Sequence, residues 1–319
     1  MTDKNVVLAE SFIKSYNDLF KEINKIIIGQ DQVVKNVLTC IFSGGHCLII
    51  GVPGLAKTLI VKTISDCLSL DFKRIQFTPD LIPSDIIGAE ILDSNKNLIF
   101  RKGPIFSNII LADEINRTSP KTQSALLEAM QEKSVTVSGE KYILSKPFFV
   151  LATQNPIEQE GTYPLPEAQL DRFMFNVLVD YPNYDDEINI VKQTTSFENT
   201  VISQIIDNKD ILSYQELIQK IPVPDNVYKY AVELSVRTRP NTKYATKEVN
   251  NYLNWGAGPR ASQYLIIAAK CDALINGKFS PDIENVQNVA FNVLRHRLVK
   301  NYKADAESIT IDNIISNLL

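Results

Sequence analysis

The sequence contains little histidine or cysteine, and it has no long apolar run. The two histidines, His46 and His296, lie far apart in 319 residues, so a histidine-rich metal site is not expected. The four cysteines form no C-x-x-C pair, which is typical of packed thiols in a reducing compartment. No apolar stretch approaches the roughly 18 residues of a membrane span, and the first residues lack the pattern of a signal peptide. We therefore expect a cytoplasmic protein without a membrane span.

A surplus of basic residues is also missing. The chain has 37 acidic and 33 basic residues, which gives a net charge of −4. Nucleic-acid-binding domains usually carry a clearly basic surface, so nucleic acid is not expected as a partner, although a local basic strip would escape this argument. Hydrophobic residues make up 45% and charged residues 22% of the chain, as in globular proteins with a buried core. The length suggests about two domains.

Short apolar runs alternate with helical segments in the first part of the chain. An amphipathic helix comes first, because apolar residues between positions 9 and 23 follow the i, i+3, i+4, i+7 spacing. Buried strands are predicted at residues 47–50, 72–78, 109–112, 148–153 and 174–179. This alternation predicts an α/β fold with a parallel sheet that helices cover on both faces. A β-hairpin is predicted around residues 138–141.

The second part of the sequence is predicted to be helical. Residues 181–183 resemble a linker, and no strand pattern follows them. Helices are predicted at residues 185–194, 225–238, 261–276 and 281–298. In the last of these, Ser280 is the expected cap and Pro281 fits the first turn. The chain is therefore divided into an α/β domain at residues 1–181, which includes the first helix, and a helical domain at residues 182–319.

The stretch CLIIGVPGLAKT, at residues 47–58, nearly matches a phosphate-binding loop of the form G-x-x-x-x-G-K-[ST]. In such a loop, backbone N–H groups and the following helix N-terminus hold the phosphates. Lys57 would reach the β- and γ-phosphates, and Thr58 would place its hydroxyl on Mg²⁺. The residues expected to contact nucleotide are Gly51, Pro53, Gly54, Leu55, Ala56, Lys57 and Thr58. The alternative is a glycine turn without a ligand.

Ala56 stands where the phosphate-loop pattern has glycine. The added methyl group costs little if the backbone at this position is right-handed helical. If the position needs a positive φ, the cost is roughly 1–2 kcal/mol. The strand-loop-helix context favours the right-handed conformation, so this is what we expect.

Two carboxylates follow the predicted strand at residues 109–112. Ligands of open α/β sheets bind at the carboxyl ends of the strands, which is where Asp113 and Glu114 are predicted to lie. Asp113 would hold Mg²⁺ together with Thr58, directly or through water. Glu114 would orient and polarise the attacking water. The alternative is a strand that ends in a solvated acidic turn.

Several longer motifs resemble the MoxR family of AAA+ ATPases. They are LADEINR at residues 111–117, KTQSALLEAM at 121–130, ATQNP at 152–156 and EQEGTYPLPEAQLDRF at 158–173. These motifs lie in the family order, and the likeness extends from about residue 28 to the C-terminus. It implies a P-loop AAA+ domain with a five-stranded parallel sheet, followed by an all-helical lid domain. It also implies ATP or ADP with Mg²⁺ as the bound group, and a family tolerance for alanine before the loop lysine.

The resemblance assigns roles to further residues. Asn155 matches the polar sensor of the γ-phosphate, and an amide suits this role because it can both donate and accept. Arg172 matches an arginine finger, which completes the site of a neighbouring subunit. Arg260 matches a second sensor that acts on its own subunit or on the next. Ile28 and Gly29 match the backbone stretch beside the adenine. Without the resemblance, an Asn-Pro turn, a surface Asp-Arg pair and a glycine turn would explain Asn155, Arg172 and Gly29.

Two insertions and several arginines outside the nucleotide motifs are also interpreted from the sequence. The hairpin near residue 138 and the segment 79–92 match two insertions that line the pore or the upper face of related rings, although ordinary surface loops are the alternative. Arg117 is a further candidate to face a neighbouring subunit. Arg295, His296 and Arg297 are interpreted as helix-surface and interface residues, because cations are favoured in the last turns of a helix.

The expected function is ATP hydrolysis that drives chaperone-like remodelling of protein clients. The resemblance implies a ring, with a hexamer as the expected form, and a partner protein with a von Willebrand factor A domain. Three alternatives remain open at this point. They are the ATPase subunit of a magnesium chelatase, a DNA translocase, and a nucleotide-gated binding module that does not hydrolyse ATP. The acidic charge balance disfavours the translocase, and the combination of Glu114 with Arg172 disfavours the non-hydrolysing module.

Overall fold

A parallel sheet of five strands lies at the centre of the first part of the chain. The computed structural model describes residues 3–157, 161–196 and 201–319. The strands of the sheet are β1 (Cys47–Ile50), β2 (Phe72–Gln76), β5 (Ile109–Asp113), β8 (Phe149–Gln154) and β9 (Phe175–Leu178). Their spatial order is β2-β5-β8-β1-β9, and every neighbouring pair is parallel. The predicted five-stranded parallel sheet is confirmed, with strand ends within two residues of those expected.

The central strands β5 and β8 are buried on both faces, which explains why they are continuous apolar runs. In β5, Ile109 and Leu111 pack into one hydrophobic cluster, whereas Ile110 and Ala112 pack into the other. Side chains alternate between the two faces of a strand. A central strand between two apolar layers therefore needs apolar side chains on both faces. In β5 and β8 the polar residues therefore lie only at the strand ends, whereas the edge strand β2 carries the exposed Lys73 and Arg74.

The first part of the chain also contains the helices that accompany the strands of the sheet. They are α1 (Asp3–Ile23), α2 (Asp31–Phe42), α3 (Lys57–Cys67), α4 (Pro83–Ile87), α5 (Pro120–Glu132) and α6 (Glu167–Leu170). A 3₁₀ turn, Ile115–Arg117, follows β5 directly. The predicted first helix is present and packs against α3 and against two helices of the C-terminal part, α8 (Asn208–Lys220) and α11 (Pro259–Ile275). It therefore connects the two parts of the molecule.

Two antiparallel hairpins project from the sheet region. They are β3 (Gly88–Leu92) with β4 (Leu98–Lys102), and β6 (Ser134–Val137) with β7 (Glu140–Ile143). The second hairpin was expected, and its turn consists of Ser138 and Gly139, both with positive φ, as two-residue hairpin turns of type I′ require. The first falls partly in the segment 79–92, which resembles a ring insertion and for which no strand was predicted. Its apolar side chains face solvent, so it lacks the alternation of a half-buried strand.

The C-terminal part is mostly helical. Besides α8 and α11, its helices are α7 (Tyr184–Thr194), α9 (Asp225–Arg237), α10 (Lys247–Tyr252), α12 (Ile283–Leu294), α13 (Tyr302–Ala306) and α14 (Ile311–Leu318). The helical prediction is confirmed with one addition, a small antiparallel pair formed by β10 (Leu253–Trp255) and β11 (Val299–Lys300). Within residues 3–157, 161–196 and 201–319, no helix combines the length and the apolar character needed to cross a membrane.

Both ends of the predicted helix at residues 281–298 were wrong. The helix α12 begins at Ile283, because Asp282 and Asn285 form a reciprocal capping box. Ser280 instead donates a hydrogen bond to the carbonyl oxygen of Pro222. At the other end, α12 stops at Leu294 and a 3₁₀ turn, Arg295–Arg297, follows it.

The interpretation of the Arg-His-Arg triplet as a helix surface was also wrong. His296 and Arg297 are buried, and Arg297 is only 5% exposed. Arg295 forms two hydrogen bonds to the carboxylate of Asp312 at 2.7 and 2.8 Å. The turn after α12 directs the triplet inward, toward the chain segment that precedes β9.

His46 is a buried histidine whose protonation should affect stability. Its Nδ1 accepts a hydrogen bond from the N–H of Val150, and its Nε2 donates to the carbonyl oxygen of Met130. Burial lowers the pKa of His46 to about 4. Since the native pKa lies below the unfolded value, neutral His46 stabilises the fold above pH 6.5, and this contribution is lost as the pH falls toward 4.

We predict that the free energy of unfolding falls between pH 7 and pH 5, with about 2 kcal/mol of the loss due to His46. In His46→Gln, an amide can replace both hydrogen bonds without titrating, so the loss should be smaller by that amount. Urea denaturation of both proteins at the two pH values measures the difference. Equal losses in the two proteins would contradict the assignment.

Candidate active site

A cavity of about 420 Å³ lies at the carboxyl edge of the sheet. It is lined by the loop residues Pro53, Gly54, Leu55, Ala56, Lys57 and Thr58, and by Asp113, Glu114, Thr153 and Asn155. The loop follows β1, the two carboxylates end β5, and Thr153 and Asn155 end β8. Three adjacent parallel strands thus deliver one loop, two anionic groups and one amide to a single cleft, as expected for a ligand site of an open α/β sheet.

The loop conformation corrects the expectation for Ala56. Its φ is 54° and its ψ is 20°, so it is left-handed and stands immediately before α3. Gly54 also has a positive φ, of 88°. The loop must reverse from strand into helix within a few residues, and this demands the conformation that glycine adopts most easily. Ala56 therefore carries the conformational strain that the sequence context did not indicate.

Lys57 lies at the first turn of α3 and reaches back over the loop. Its Nζ donates hydrogen bonds to the carbonyl oxygens of Gly51 and Val52 at 2.6 and 2.8 Å. Partial burial lowers the pKa of Lys57, and the carboxylates of Asp113 and Glu114 oppose that shift. The ammonium group is thus a partly desolvated cation at the helix N-terminus, which is a favourable place for phosphate oxygens.

Asp113 is a buried carboxylate with a partner on each oxygen. Its Oδ1 accepts a hydrogen bond from Thr153 Oγ1 at 2.6 Å. Its Oδ2 lies 3.4 Å from Thr58 Oγ1, which donates to it. The same Oδ2 accepts from Arg74 Nε and Nη2 at 2.9 and 2.7 Å. The structure therefore brings together the predicted metal residues Thr58 and Asp113, and it adds an arginine that the sequence analysis missed.

Glu114 is held by three neighbours in a strained conformation. Its φ of 57° is left-handed, and its N–H donates to Thr153 Oγ1. Its Oε2 accepts hydrogen bonds from Gln76 Nε2 at 2.9 Å and from Arg117 Nη1 at 3.0 Å. Arg117, a candidate for a contact with another subunit, therefore contacts Glu114 of its own chain. Left-handed backbone at a non-glycine residue costs of order 1–3 kcal/mol, and such strain clusters at functional sites.

Asn155 supplies a free hydrogen-bond donor to the cavity. The residue is buried, and its Oδ1 accepts a hydrogen bond from the N–H of Ile157. Its Nδ2 has no partner within the described part of the chain. A buried donor without a partner costs roughly 1–3 kcal/mol, so it is expected to meet an acceptor when the site is in use. A phosphate oxygen satisfies this requirement.

Arg172 and Arg260 lie at the opposite edge of the sheet. Both line a cavity of about 200 Å³ with Gly45 and His46, which precede β1, whereas the phosphate loop follows β1. The four residues of β1 separate the two edges by roughly 13 Å, at about 3.3 Å per residue. The structure therefore does not bring these arginines to the loop of their own chain. Among the described residues, the Arg172 backbone N–H donates to the carbonyl oxygen of Gln169 at 3.2 Å, whereas its guanidinium forms no hydrogen bond or ion pair.

Asp171, the neighbour of Arg172, forms ion pairs between this edge of the sheet and the helical part of the chain. Its Oδ2 accepts from Arg260 Nη1 at 2.7 Å and its Oδ1 from Arg297 Nε at 2.8 Å. Arg297 also donates to the carbonyl oxygens of Asp171 and Phe173. Burial lowers the pKa of Arg297, whereas the Asp171 carboxylate opposes the shift. The sequence reasoning missed this buried arginine, because the helical pattern placed it on a surface.

A second large cavity lies on the helical side of the Asp171 carboxylate. It has a volume of about 510 Å³ and is lined by Asp171 and Arg297 together with Glu167 and Trp255. Its surface is mostly apolar, and it holds none of the predicted catalytic or nucleotide residues. Size alone therefore does not identify the active site, whereas the convergence of charged and polar groups does.

Ile28 and Gly29 line a separate cavity of about 500 Å³ with Ile27, Asn24 and Asp186. Gly29 has a φ of 72°, and a Cβ at this position would lie 2.7 Å from the Cβ of Asp186, so only glycine fits. This cavity is connected to the phosphate loop through the end of β9.

Two contacts establish the connection between the cavity at Gly29 and the loop. Gln30 Nε2 donates to the carbonyl oxygen of Asp180 at 2.9 Å. A Cβ on Gly51 would lie 2.8 Å from the carbonyl oxygen of Val179. The two residues after β9 therefore touch both the loop and the segment that holds Ile28 and Gly29. Residues 158–160, which open the last of the quoted motifs, lie outside the described residues.

Comparisons with known proteins agree with this geometry. Residues 46–175 match the family model described as ATPase family associated with various cellular activities (AAA), and residues 245–318 match the AAA lid domain. Chaperone MoxR1 of Mycobacterium tuberculosis is 42% identical over 299 residues, which cover 93% of this chain and 79% of the relative. An uncharacterized protein of Bacillus subtilis, YeaC, is 40% identical over 301 residues, covering 94% and 91%.

A more distant relative and a solved structure also agree with this family assignment. Protein MoxR of Methylorubrum extorquens is 26% identical over 297 residues, covering 87% of this chain and 85% of the relative. The crystal structure of a proposed ATPase from Cytophaga hutchinsonii superposes with a TM-score of 0.91 at 42% identity. It covers 98% of this chain and 95% of its own.

We predict that Ala56→Gly stabilises the protein by up to about 1 kcal/mol. Glycine relieves the left-handed strain but gains more entropy in the unfolded chain, so the two effects partly cancel. The matched control is Ala125→Gly in α5, which should destabilise the protein by about 1 kcal/mol because that backbone is right-handed helical. Denaturation curves of the three proteins measure both effects. Equal destabilisation by the two substitutions would contradict a strained Ala56.

Proposed function

This chain belongs to the MoxR family of AAA ATPases, and from that premise we propose that it hydrolyses ATP with Mg²⁺ to remodel protein clients. The observation that carries the proposal is the cleft in which Lys57, Thr58, Asp113, Glu114 and Asn155 converge. A binding module needs a cation and a loop, but it does not need a carboxylate poised beside a donor without a partner.

The residues at the cleft fit a magnesium ion. Thr58 Oγ1 and Asp113 Oδ2 lie 3.4 Å apart, and both are oxygen donors of the kind that Mg²⁺ prefers. Mg²⁺ usually keeps several waters and takes one or two protein ligands together with phosphate oxygens, so two side chains suffice. When bound, the ion neutralises charge that develops on the phosphates. We propose Thr58 and Asp113 as its protein contacts, and Thr153 fixes the orientation of the Asp113 carboxylate.

The remaining polar residues of the cleft are proposed to contact the phosphates and the attacking water. The ammonium group of Lys57 now donates to two loop carbonyl oxygens. In the complex with nucleotide it would donate to the β- and γ-phosphate oxygens instead. Asn155 directs its Nδ2 to the γ-phosphate or to the attacking water. Glu114 accepts the hydrogen bond of that water and polarises it, while Gln76 and Arg117 orient the carboxylate through its Oε2.

The base of the nucleotide is proposed to occupy the cavity at Ile28 and Gly29. Backbone at Gly29 is exposed to this cavity, and its positive φ places the chain where an L-side chain would collide with Asp186. The contacts of Asp180 and Val179 link this cavity to the phosphate loop. The loop residues Gly51, Pro53, Gly54, Leu55 and Ala56 then contact the phosphates through their backbone.

We propose that subunits assemble into a ring, as a hexamer, and that each active site is completed by its neighbour. Arg172 and Arg260 lie at the amino edge of the sheet, and the length of β1 separates them from the loop of their own chain. A guanidinium group from the next subunit is the simplest source of the positive charge that stabilises the transition state. This geometry favours action on the neighbour for both arginines.

The clients are proposed to contact the two hairpins. Leu92 and Leu98 at the end of the first hairpin are 66% and 67% exposed, and Ile143 of the second is 77% exposed. Ser138 Oγ donates to Glu90 Oε2 at 2.6 Å and joins the two hairpins into one surface. An apolar surface of this kind suits partly unfolded protein. A partner protein with a von Willebrand factor A domain is part of the same proposal.

Two further assignments accompany the proposed function. The division between residues 1–181 and 182–319 places the boundary after β9, since Leu178 ends the last strand of the sheet and the next element is α7. A cytoplasmic location is supported by the cysteines, because Cys40, Cys47, Cys67 and Cys271 are all buried and free.

Variants of Lys57 and Glu114 should separate binding from hydrolysis. We predict that Lys57→Ala lowers ATP affinity by at least roughly tenfold, because a charged hydrogen-bond donor to phosphate is worth about 1.5–3 kcal/mol. Glu114→Gln should keep the affinity but lose hydrolysis by roughly 100-fold or more, because the general base is lost. Equilibrium binding of a fluorescent ATP analogue and release of phosphate measure the two effects. Undiminished turnover in Glu114→Gln would remove this residue from the mechanism.

Mixed rings should reveal whether the active site is shared. We predict that Arg172→Ala and Glu114→Gln are each inactive alone but recover activity when mixed, because a Glu114-intact site then meets an intact Arg172. In random rings of equal parts, about one quarter of the sites are complete, so roughly a quarter of wild-type activity is expected. A mixture of Lys57→Ala with Glu114→Gln is the control and should stay inactive. Failure of the first mixture, with both variants assembled, would contradict a finger supplied by the neighbour.

A further inference from the structure

Three hydrogen-bond donors meet at one oxygen of Asp113. Thr58 Oγ1 donates to Oδ2 at 3.4 Å, and Arg74 Nε and Nη2 donate to the same Oδ2 at 2.9 and 2.7 Å. The other oxygen, Oδ1, is occupied by Thr153. Oδ2 is therefore the oxygen that faces the hydroxyl of Thr58, and it is also the oxygen that the Arg74 guanidinium covers. A metal ion shared by Thr58 and Asp113 must use this atom.

We propose that Arg74 is the resident counter-cation of the metal carboxylate and that Mg²⁺ must displace it in order to bind. The inference rests on the proposed function, since it concerns the same Mg·ATP site. Arg74 acts through Asp113 and Gln76, so it is a positioning residue that sets how much Mg²⁺ the site requires. Its position in β2, next to β5 in the sheet, brings it to Asp113 from outside the phosphate loop and the two motif carboxylates.

The two side chains of this ion pair differ in solvent exposure. The Asp113 side chain is 10% exposed, whereas that of Arg74 is 48% exposed. A buried carboxylate without a counter-charge is costly, so Asp113 favours a bound cation. A half-exposed guanidinium loses little when it returns to water. Two cations cannot share one carboxylate oxygen without repulsion, and of the two groups it is Arg74 that can move away.

The displacement would also be transmitted to Glu114. Arg74 Nη2 donates to Gln76 Oε1 at 2.6 Å, and Gln76 Nε2 donates to Glu114 Oε2 at 2.9 Å. When Arg74 leaves Asp113, the amide of Gln76 loses the donor that orients it. The hydrogen bond from Gln76 Nε2 to Glu114 Oε2 then weakens. Occupation of the metal position thereby favours the release of the carboxylate that we propose as the base.

The test is the Mg²⁺ requirement of nucleotide binding, measured with a fluorescent, non-hydrolysable ATP analogue. The full-length protein is titrated with MgCl₂ at fixed analogue concentration, and the Mg²⁺ concentration at half-maximal binding is recorded. In Arg74→Met, which keeps the length but not the charge, we expect this concentration to fall roughly three- to tenfold, as loss of a partly exposed competing ion pair implies. Arg74→Lys should give an intermediate value.

The control is Lys73→Met, which removes the same charge from the neighbouring exposed residue on the opposite face of β2. Its Mg²⁺ requirement should equal that of the wild type. A fall of the same size in Lys73→Met would attribute the effect to net charge and overturn the proposal. An unchanged or higher Mg²⁺ requirement in Arg74→Met would also overturn it.

Affinity for the analogue in EDTA separates this inference from the proposed function. Arg74→Met should bind as the wild type does without Mg²⁺, because Arg74 contacts the carboxylate and not the phosphates. A selective loss of this affinity would make Arg74 a phosphate ligand and overturn the inference. If the wild type itself binds no nucleotide, or if Lys57→Ala binds as tightly, the proposed function fails first, irrespective of Arg74.

Discussion

The buried carboxylate of Asp113 is the constraint on which the architecture of the active site depends. It terminates β5, a strand whose every residue is buried, so the anion sits at the border of the apolar core. Such a group must be compensated, and each neighbouring element contributes to this. Thr153 comes from β8, Thr58 from the first turn of α3 and Arg74 from β2. The sheet order that places β5 between β2 and β8 is what makes these contacts possible.

Most of the α/β architecture could be predicted from the sequence, because the signal is local. Apolar runs such as Cys47–Ile50 can only be buried strands when helices separate them. The exposed hairpin from β3 to β4 could not be predicted in this way, since its apolar side chains face solvent. The start of α12 was missed for another reason. The expected cap, Ser280, lies two residues before the observed cap, Asp282, and the reciprocal pair of Asp282 and Asn285 stabilises the later start.

The same distinction applies to the candidate site. Residues that belong to a motif, such as Lys57 in the phosphate loop and Asp113 at the end of β5, could be predicted because the carboxyl ends of parallel strands meet at one edge of the sheet. The left-handed conformation of Ala56 could not, since it depends on the closure of the whole loop. Arg74 and Arg297 were missed because each lies in a segment that reads as ordinary strand or helix. Their roles follow only from what the tertiary fold places opposite them, which is Asp113 in one case and Asp171 in the other.

We propose that one active site is built from two subunits, because the phosphate loop and Arg172 lie at opposite edges of one sheet. The most direct test is the steady-state rate of ATP hydrolysis per subunit as a function of protein concentration, with the assembly state followed by light scattering. A shared site predicts that the rate per subunit rises with concentration in parallel with assembly. A constant rate per subunit in a protein that remains monomeric throughout would contradict the account.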